Sequence, residues 1–186
     1  TSYQLVVSPG VVWTIDNSNI SACNYMWKGI LVKNEGYIII NNSSIYDAQY
    51  AVDLEDRTIA TIDNTIFERN FVGIRTSGNP LDYNNINLSV SQCQFRTGSG
   101  LVTQFTNQSP PPTTKSFAGM QLADIGIDLT NAGLSANIFE DMSNGIIGSR
   151  INIDATNCKF NNIQPDPLYN NLTAFNGSGI YNRGGH

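Results

Sequence analysis

Apolar and polar residues alternate in short runs along this chain, and the runs recur at regular intervals. Val11, Trp13 and Ile15 form one apolar set; Ile38 and Ile40, Ala60 and Ile62, Ile86, Leu88 and Val90, and Ile151, Ile153 and Ala155 form the others. The residues between them are mostly polar, such as Thr14, Asp16, Thr61, Asp63, Ser89, Ser91, Asn152 and Asp154. A period of two with β-branched residues predicts half-buried strands. No segment carries a convincing helical period, which excludes leucine-rich and helical repeats.

Each run leads into one six-residue motif. Ile15-Asp16-Asn17-Ser18-Asn19-Ile20, Ile40-Asn41-Asn42-Ser43-Ser44-Ile45 and Ile62-Asp63-Asn64-Thr65-Ile66-Phe67 are the first three copies. Val90-Ser91-Gln92-Cys93-Gln94-Phe95, Leu134-Ser135-Ala136-Asn137-Ile138-Phe139 and Ala155-Thr156-Asn157-Cys158-Lys159-Phe160 complete the set. A second short motif follows each copy: Gly29-Ile30, Ala51-Val52, Gly73-Ile74, Gly119-Met120, Gly145-Ile146 and Gly179-Ile180. Where nothing is inserted the period is 22 residues, as from Asn42 to Asn64. A fixed period of that size means stacked units, none able to bury its apolar face alone. Several short strands per unit predict a right-handed parallel β-helix of about six coils, with Ile20, Ile45, Phe67, Phe95, Phe139 and Phe160 stacked inside.

The amide position of the motif reads as structural. Asn17, Asn42, Asn64, Gln92 and Asn157 fall at one place in successive coils, with Ala136 the exception. Coils stack at strand spacing, roughly 4.8 Å, so these side chains are expected to hydrogen-bond up the stack as a ladder. Asn also tolerates the left-handed backbone that a sharp corner requires. Cys93 and Cys158 share the next position with Ser43 and Thr65, and Asn137 lies between them. Two coil steps separate the pair by roughly 9–10 Å, beyond the 7 Å limit for a disulfide. They are expected to be free, buried thiols, and a single His gives no zinc pattern.

The coil Ile62-Asp63-Asn64-Thr65-Ile66-Phe67-Glu68-Arg69-Asn70-Phe71-Val72-Gly73-Ile74 resembles right-handed β-helix proteins of the pectin-lyase-like class. The Trp27-Lys28-Gly29-Ile30 start is similar to modules of large secreted bacterial surface proteins, including cargo of type IX secretion. The resemblance spans about residues 11 to 182. It implies a secreted or cell-surface location and a single β-helix domain cut from a longer protein. It leaves activity open, because the fold hosts lyases, hydrolases, adhesins and inert stalks. The ends read as uncapped, so the rest of a larger polypeptide or neighbouring coils are expected partners. Gly184-Gly185-His186 reads either as native sequence or as a tag remnant.

Insertions interrupt the period at one corner, at residues 96–118 and 161–178, with a smaller one from Cys23 to Trp27. Lesser excursions run from Ser77 to Asn84 and from Asp124 to Ala132. Long loops on one side of an array mark a binding face or tolerated decoration. Trp27, Phe71 and Phe117 each stand two residues before their Gly, with Tyr25, Tyr50, Phe105 and Tyr169 near the same corner. Flat rings there would stack on a polysaccharide; the alternative is that the loops fold over them. Four loop carboxylates, Asp47, Glu68, Glu140 and Asp141, share that corner too. They read as a calcium site or as a solvated rim.

Candidate catalysis narrows to Asp53 and Arg75, neighbours on the Gly-Ile strand with Glu55 on the same face. Such a pair would bind a uronate carboxylate or form a cross-strand ion pair. Composition adds two exclusions. Charged residues are only 13% of the chain and the net charge is -5, against the clustered Lys and Arg that nucleic acid requires. No run of about 18 apolar residues predicts a membrane span. The reading is therefore a non-catalytic stalk, adhesin or carbohydrate-binding module with no required cofactor. The alternative is a polysaccharide lyase or glycoside hydrolase acting on an acidic polysaccharide.

Overall fold

The fold was described in a computed structural model over residues 3–77, 81, 85–102, 114–130, 135–167 and 177–184. It is a parallel β-solenoid. A leading strand, β1 (Gln4–Val7), precedes six coils of three strands each. The first coil is β2 (Val12–Asp16), β3 (Asn19–Ile20) and β4 (Trp27–Val32); the second is β5 (Tyr37–Asn41), β6 (Ser44–Tyr46) and β7 (Ala48–Leu54). The third is β8 (Ile59–Asp63), β9 (Ile66–Glu68) and β10 (Val72–Thr76); the fourth is β11 (Asn87–Ser91), β12 (Gln94–Arg96) and β13 (Ala118–Ala123). The fifth is β14 (Gly126–Asp128), β15 (Asn137–Glu140) and β16 (Asn144–Ser149). The last is β17 (Asn152–Asp154), β18 (Cys158–Asn161) and β19 (Ile180–Arg183).

Successive coils pair in parallel, so each strand position builds its own sheet. Seven strands run β1-β4-β7-β10-β13-β16-β19, and six run β3-β6-β9-β12-β15-β18. The third side is split into β2-β5-β8-β11 and the pair β14-β17. Six rungs on the middle sheet correspond to about five turns from first to last. The six expected core residues are register partners from Ile20 through Ile45, Phe67, Phe95 and Phe139 to Phe160. The four rings stack face to face, with centroids 4.9, 4.8 and 4.9 Å apart. That spacing is the strand repeat itself. One residue per rung thus builds a continuous apolar column inside the solenoid.

The second motif takes its glycines from this stack. A Cβ on Gly73, Gly119 or Gly145 would lie 2.5–2.6 Å from a ring carbon of Phe95, Phe139 or Phe160, each one coil further on. Only a hydrogen fits beneath those rings.

Two expectations about the later coils are corrected. The stretch Asp124 to Ala132 is not a plain excursion: Gly126–Asp128 is the fifth rung of the split side, with Ile127 buried and opposite Ile153. Asp128 and Asp154 stand opposite each other at the end of these two strands. In the last coil three residues separate Asp154 from Cys158, where one separates Asp63 from Thr65. The longer corner closes with Thr156 N–H donating to the Asp154 carboxylate at 3.2 Å. Asn157 accordingly lacks the positive φ of Asn17, Asn42, Asn64 and Gln92, which lie between 44° and 54°.

Candidate functional site

The Asp53–Arg75 pair lies on the outer face of the seven-stranded sheet, where β7 and β10 place the two residues in register. Arg75 Nε donates to Asp53 Oδ1 at 2.8 Å, and Nη2 donates to Oδ2. The guanidinium also lies 3.6 Å from the centroid of the Tyr50 ring. The guanidinium thus bridges the Asp53 carboxylate and the Tyr50 ring, and Asp53 is buried although it points outward. Burial pulls the Arg75 guanidinium down, but its bonds to Asp53, the Asp53 charge and Tyr50 outweigh that and raise it. A catalytic base must release its proton near working pH; this arrangement moves Arg75 the other way. Glu55 is engaged separately, accepting from Asn34 N–H at 3.2 Å.

The same device recurs around the solenoid. Asp47 takes a two-pronged bond from Arg69, at 2.7 and 3.1 Å. Glu68 is held by Arg96, Asp124 by Arg150, and Glu35 by Arg57. In each pair the arginine lies one coil beyond its acid. Asp47, Arg69, Asp124 and Arg150 all sit at positive φ, so these staples anchor the tight corners. Donating to Asp47 raises the Arg69 guanidinium, and donating to Asp124 raises that of Arg150. A signal for the pairs existed in the sequence: Glu35 and Arg57, Asp47 and Arg69, and Asp53 and Arg75 are each 22 residues apart, which is the coil period.

The carboxylate corner is divided by these contacts. Asp47 and Glu68 face arginines, and Asp141 accepts a hydrogen bond from Asn162 of the next coil. Glu140 stands in register beside Arg96. Among the described residues no three His, Cys, Asp or Glu side chains come together as a metal site would require.

The aromatic corner is also packed. Trp27 is 8% exposed, joins the main core and donates its indole N–H to the Tyr46 carbonyl at 2.8 Å. Phe71 is buried and stacks on the half-buried Phe117 with centroids 5.4 Å apart. Met26, Val72, Tyr50, Leu101 and Val102 complete this second cluster, so the start of the 96–118 insertion lies over it. Ser116 N–H donates to Thr97 Oγ1 at 3.0 Å, closing the loop at its base. The corner therefore uses Trp27 and Phe71 for packing. Phe105 and Tyr169 lie outside the described residues, as do the Pro-rich segment and Gly185-His186.

The amides divide into an outer and an inner set. Asn64 Nδ2 donates to Asn42 Oδ1 at 2.9 Å, while Asn42 and Asn17 both donate to Asp16. Gln92 reaches Asp63. This outer line is exposed at Asn17, Asn42 and Asn64, and it mixes amides with carboxylates. The inner set was not anticipated. Asn70 is buried, accepts from Ala48 N–H and donates to the Ile45 carbonyl, both at 2.8 Å. Asn137 accepts from Cys93 N–H at 2.9 Å and donates to the Val90 carbonyl at 3.2 Å. Buried amides of this kind satisfy backbone groups that would otherwise be orphaned.

Cys93, Asn137 and Cys158 form one register column. All three cysteines are free. Burial pushes the Cys93 thiol up to about 12 and the half-buried Cys158 thiol up to about 11. Cys23 is exposed. Among the described residues no helix is long and apolar enough to cross a membrane.

Comparison of the chain with protein-family models, with curated proteins and with solved structures finds no match, so the fold and the staples above carry the functional argument.

Proposed function

We propose that the chain is a non-catalytic β-solenoid module of a secreted or cell-surface protein, of the pectin-lyase-like kind, serving as a stiff stalk that presents or contacts polysaccharide. One observation carries this reading: the acids that would serve chemistry are bonded to the arginine of the following coil. Such pairs tie each coil to the next, and several in sequence resist shear between coils. Low charge and a rim of Asn, Ser and Thr suit a surface exposed to solvent and sugar rather than to nucleic acid.

The test separates stapling from chemistry. Arg75→Ala removes both hydrogen bonds to the Asp53 carboxylate, which costs about 1–3 kcal/mol. The variant is therefore expected to melt earlier while its retention on a glycan array stays unchanged. Incubation with acidic polysaccharides, with and without calcium, is expected to release neither unsaturated uronates nor reducing ends. Product release by the parent chain, lost in Arg75→Ala without loss of folding, would replace the stalk with a lyase or hydrolase.

A further inference from the structure

One joint between coils is built differently from its neighbours. On the third side β2, β5, β8 and β11 pair in unbroken register, and β14 pairs with β17. Among the described residues no strand pairing joins β11 to β14. The joint between the fourth and fifth coils therefore lacks one of its three sheets. The other two cross it intact, β13 pairing with β16 and β12 with β15. Phe95 and Phe139 stack across it with centroids 4.8 Å apart. Arg150 holds Asp124 at the corner where the seven-stranded sheet gives way to the third side. The interruption is confined to one flank, with paired coils on either side of it.

A side chain bridges the joint where the third side meets the middle sheet. The motif position after the amide is Thr65, Cys93 and Asn137 in the third, fourth and fifth coils. Thr65 Oγ1 reaches the Ile40 carbonyl of the previous coil at 3.5 Å, and Cys93 Sγ reaches that of Ile62 at 3.7 Å. Asn137 is longer and does more. Its Nδ2 donates to the Val90 carbonyl at 3.2 Å, and its Oδ1 accepts from Cys93 N–H at 2.9 Å. These bonds span 47 and 44 positions of sequence, about twice the coil period, so no local turn holds them in place. Asn137 is fully buried.

We infer that this joint is a seam at which the solenoid opens, with Asn137 as its latch. The third side parts between β11 and β14 while the seven-stranded sheet stays paired and acts as the hinge. Parting the joint before it on the same side would break the β8–β11 ladder, five register pairs long. Parting the seam breaks the two Asn137 bonds and the backbone bond beside them, from Ile138 N–H to the Cys93 carbonyl. Opening also uncovers Leu88, Val90, Ile127 and Leu129, all buried in the closed form. That apolar cost keeps the open form a minor one, reached by a local rather than a global transition. A stalk so built yields at one chosen place instead of unravelling coil by coil.

Native-state hydrogen exchange read by NMR tests this with amides that differ only in the joint they cross. Ile66 N–H donates to the Ser43 carbonyl at 2.9 Å, Gln94 to Thr65 at 3.0 Å and Ile138 to Cys93 at 2.9 Å. After correction for intrinsic rates, Ile138 is expected to exchange about tenfold faster than Ile66 and Gln94, with little dependence on low urea. Asn137→Ala is expected to speed Ile138 by about tenfold more, since two bonds are lost, and to leave Ile66 and Gln94 unchanged. In the parent, Asn137 and Asp141 N–H donate to the Asn157 and Asn161 carbonyls of the next coil. They are expected to stay slower than Ile138, because the fifth and sixth coils move together. Should Asn137→Ala lose the parent's circular dichroism, Asn137→Thr takes its place, and the comparison within the parent stands without either. Equal protection of Ile138 and Gln94 in the parent overturns the inference, as does equal acceleration of all three amides in the variant. Faster exchange at Asn137 and Asp141 than at Ile138 also overturns it, since that means the last coils fray.

Discussion

Gly119→Ala probes the phenylalanine column from the side. The added Cβ would meet Phe139 Cδ1 at 2.5 Å and the Gly145 carbonyl oxygen at 3.0 Å. Carbon atoms rest at about 3.5–4.0 Å, so the ring must move by about 1 Å. Phe139 cannot slide along the stack, because Phe95 and Phe160 lie 4.8 and 4.9 Å from it on either side. Overpacking of this kind costs about 1–3 kcal/mol. Removing a glycine returns about 0.4–1 kcal/mol by restricting the unfolded chain. The net loss is about 1–2 kcal/mol, which in a chain of this length lowers Tm by about 2–8 °C. Gly179→Ala is the control: its Cβ would lie 3.4 Å from Phe160 Cγ, at the edge of ordinary contact. That variant is expected to match or slightly exceed the parent. Phe139→Leu should restore room beneath the ring, so calorimetry on both single variants and the double should show coupling rather than additivity. Equal shifts for Gly119→Ala and Gly179→Ala, or strict additivity in the cycle, would refute the packing described.

The inner amides should matter more than the outer line: Asn70→Ala orphans two buried backbone groups at about 1–3 kcal/mol each, so a loss of about 2–6 kcal/mol is expected, against about 1 kcal/mol for the exposed Asn64→Ala, read by urea denaturation. Trp27→Ala should cost about 3–5 kcal/mol, the range for a buried aromatic; loss of glycan retention with an unchanged Tm would instead place that ring at a binding surface. The thiols predict an alkaline limb. Folding holds Cys93 near 12 and Cys158 near 11, above the ordinary value of 9.0, so the unfolded chain releases these protons first as pH rises. Their contribution is complete below about pH 9 and is lost toward pH 11–12, and Cys93→Ala should flatten that decline in pH-dependent melting. Thiol titration of the native chain at neutral pH should label Cys23 fast and Cys93 only on unfolding.

The repeat carried most of the architecture, because strand spacing forces like residues into columns. Ile20 through Phe160 could be placed from period and alternation alone. Gly126–Asp128 was missed for a physical reason: a strand with one apolar residue, Ile127, between Gly and Asp carries no alternation to detect. Asn157 sits in a copy of the motif indistinguishable from that of Asn64, yet two additional residues in its corner remove the left-handed turn. Asp53 beside Arg75 was legible as a pair, but its meaning was not. A carboxylate next to an arginine reads alike as a site or a staple until the guanidinium is seen bonded to both carboxylate oxygens and laid over Tyr50. Asp124 and Arg150 were hidden by a local spacing of 26 residues rather than 22. Burial of Trp27 was undecidable from sequence, since an aromatic at a corner packs or protrudes according to where the inserted loop goes.

The stacking of coils itself is tested most directly by distances between spin labels along one outward column. Asn19, Ser44, Ile66, Gln94, Ile138 and Lys159 are successive register partners. With Cys23 replaced by Ser, one label at Asn19→Cys and a second at Gln94→Cys, Ile138→Cys or Lys159→Cys should give backbone separations of about 14, 19 and 24 Å, from a 4.8 Å step per rung. The 44-position step from Gln94 to Ile138 should thus add no more distance than the 21-position step from Ile138 to Lys159. Increments that instead scale with sequence separation, or a broad distribution at Ile138, would contradict the solenoid.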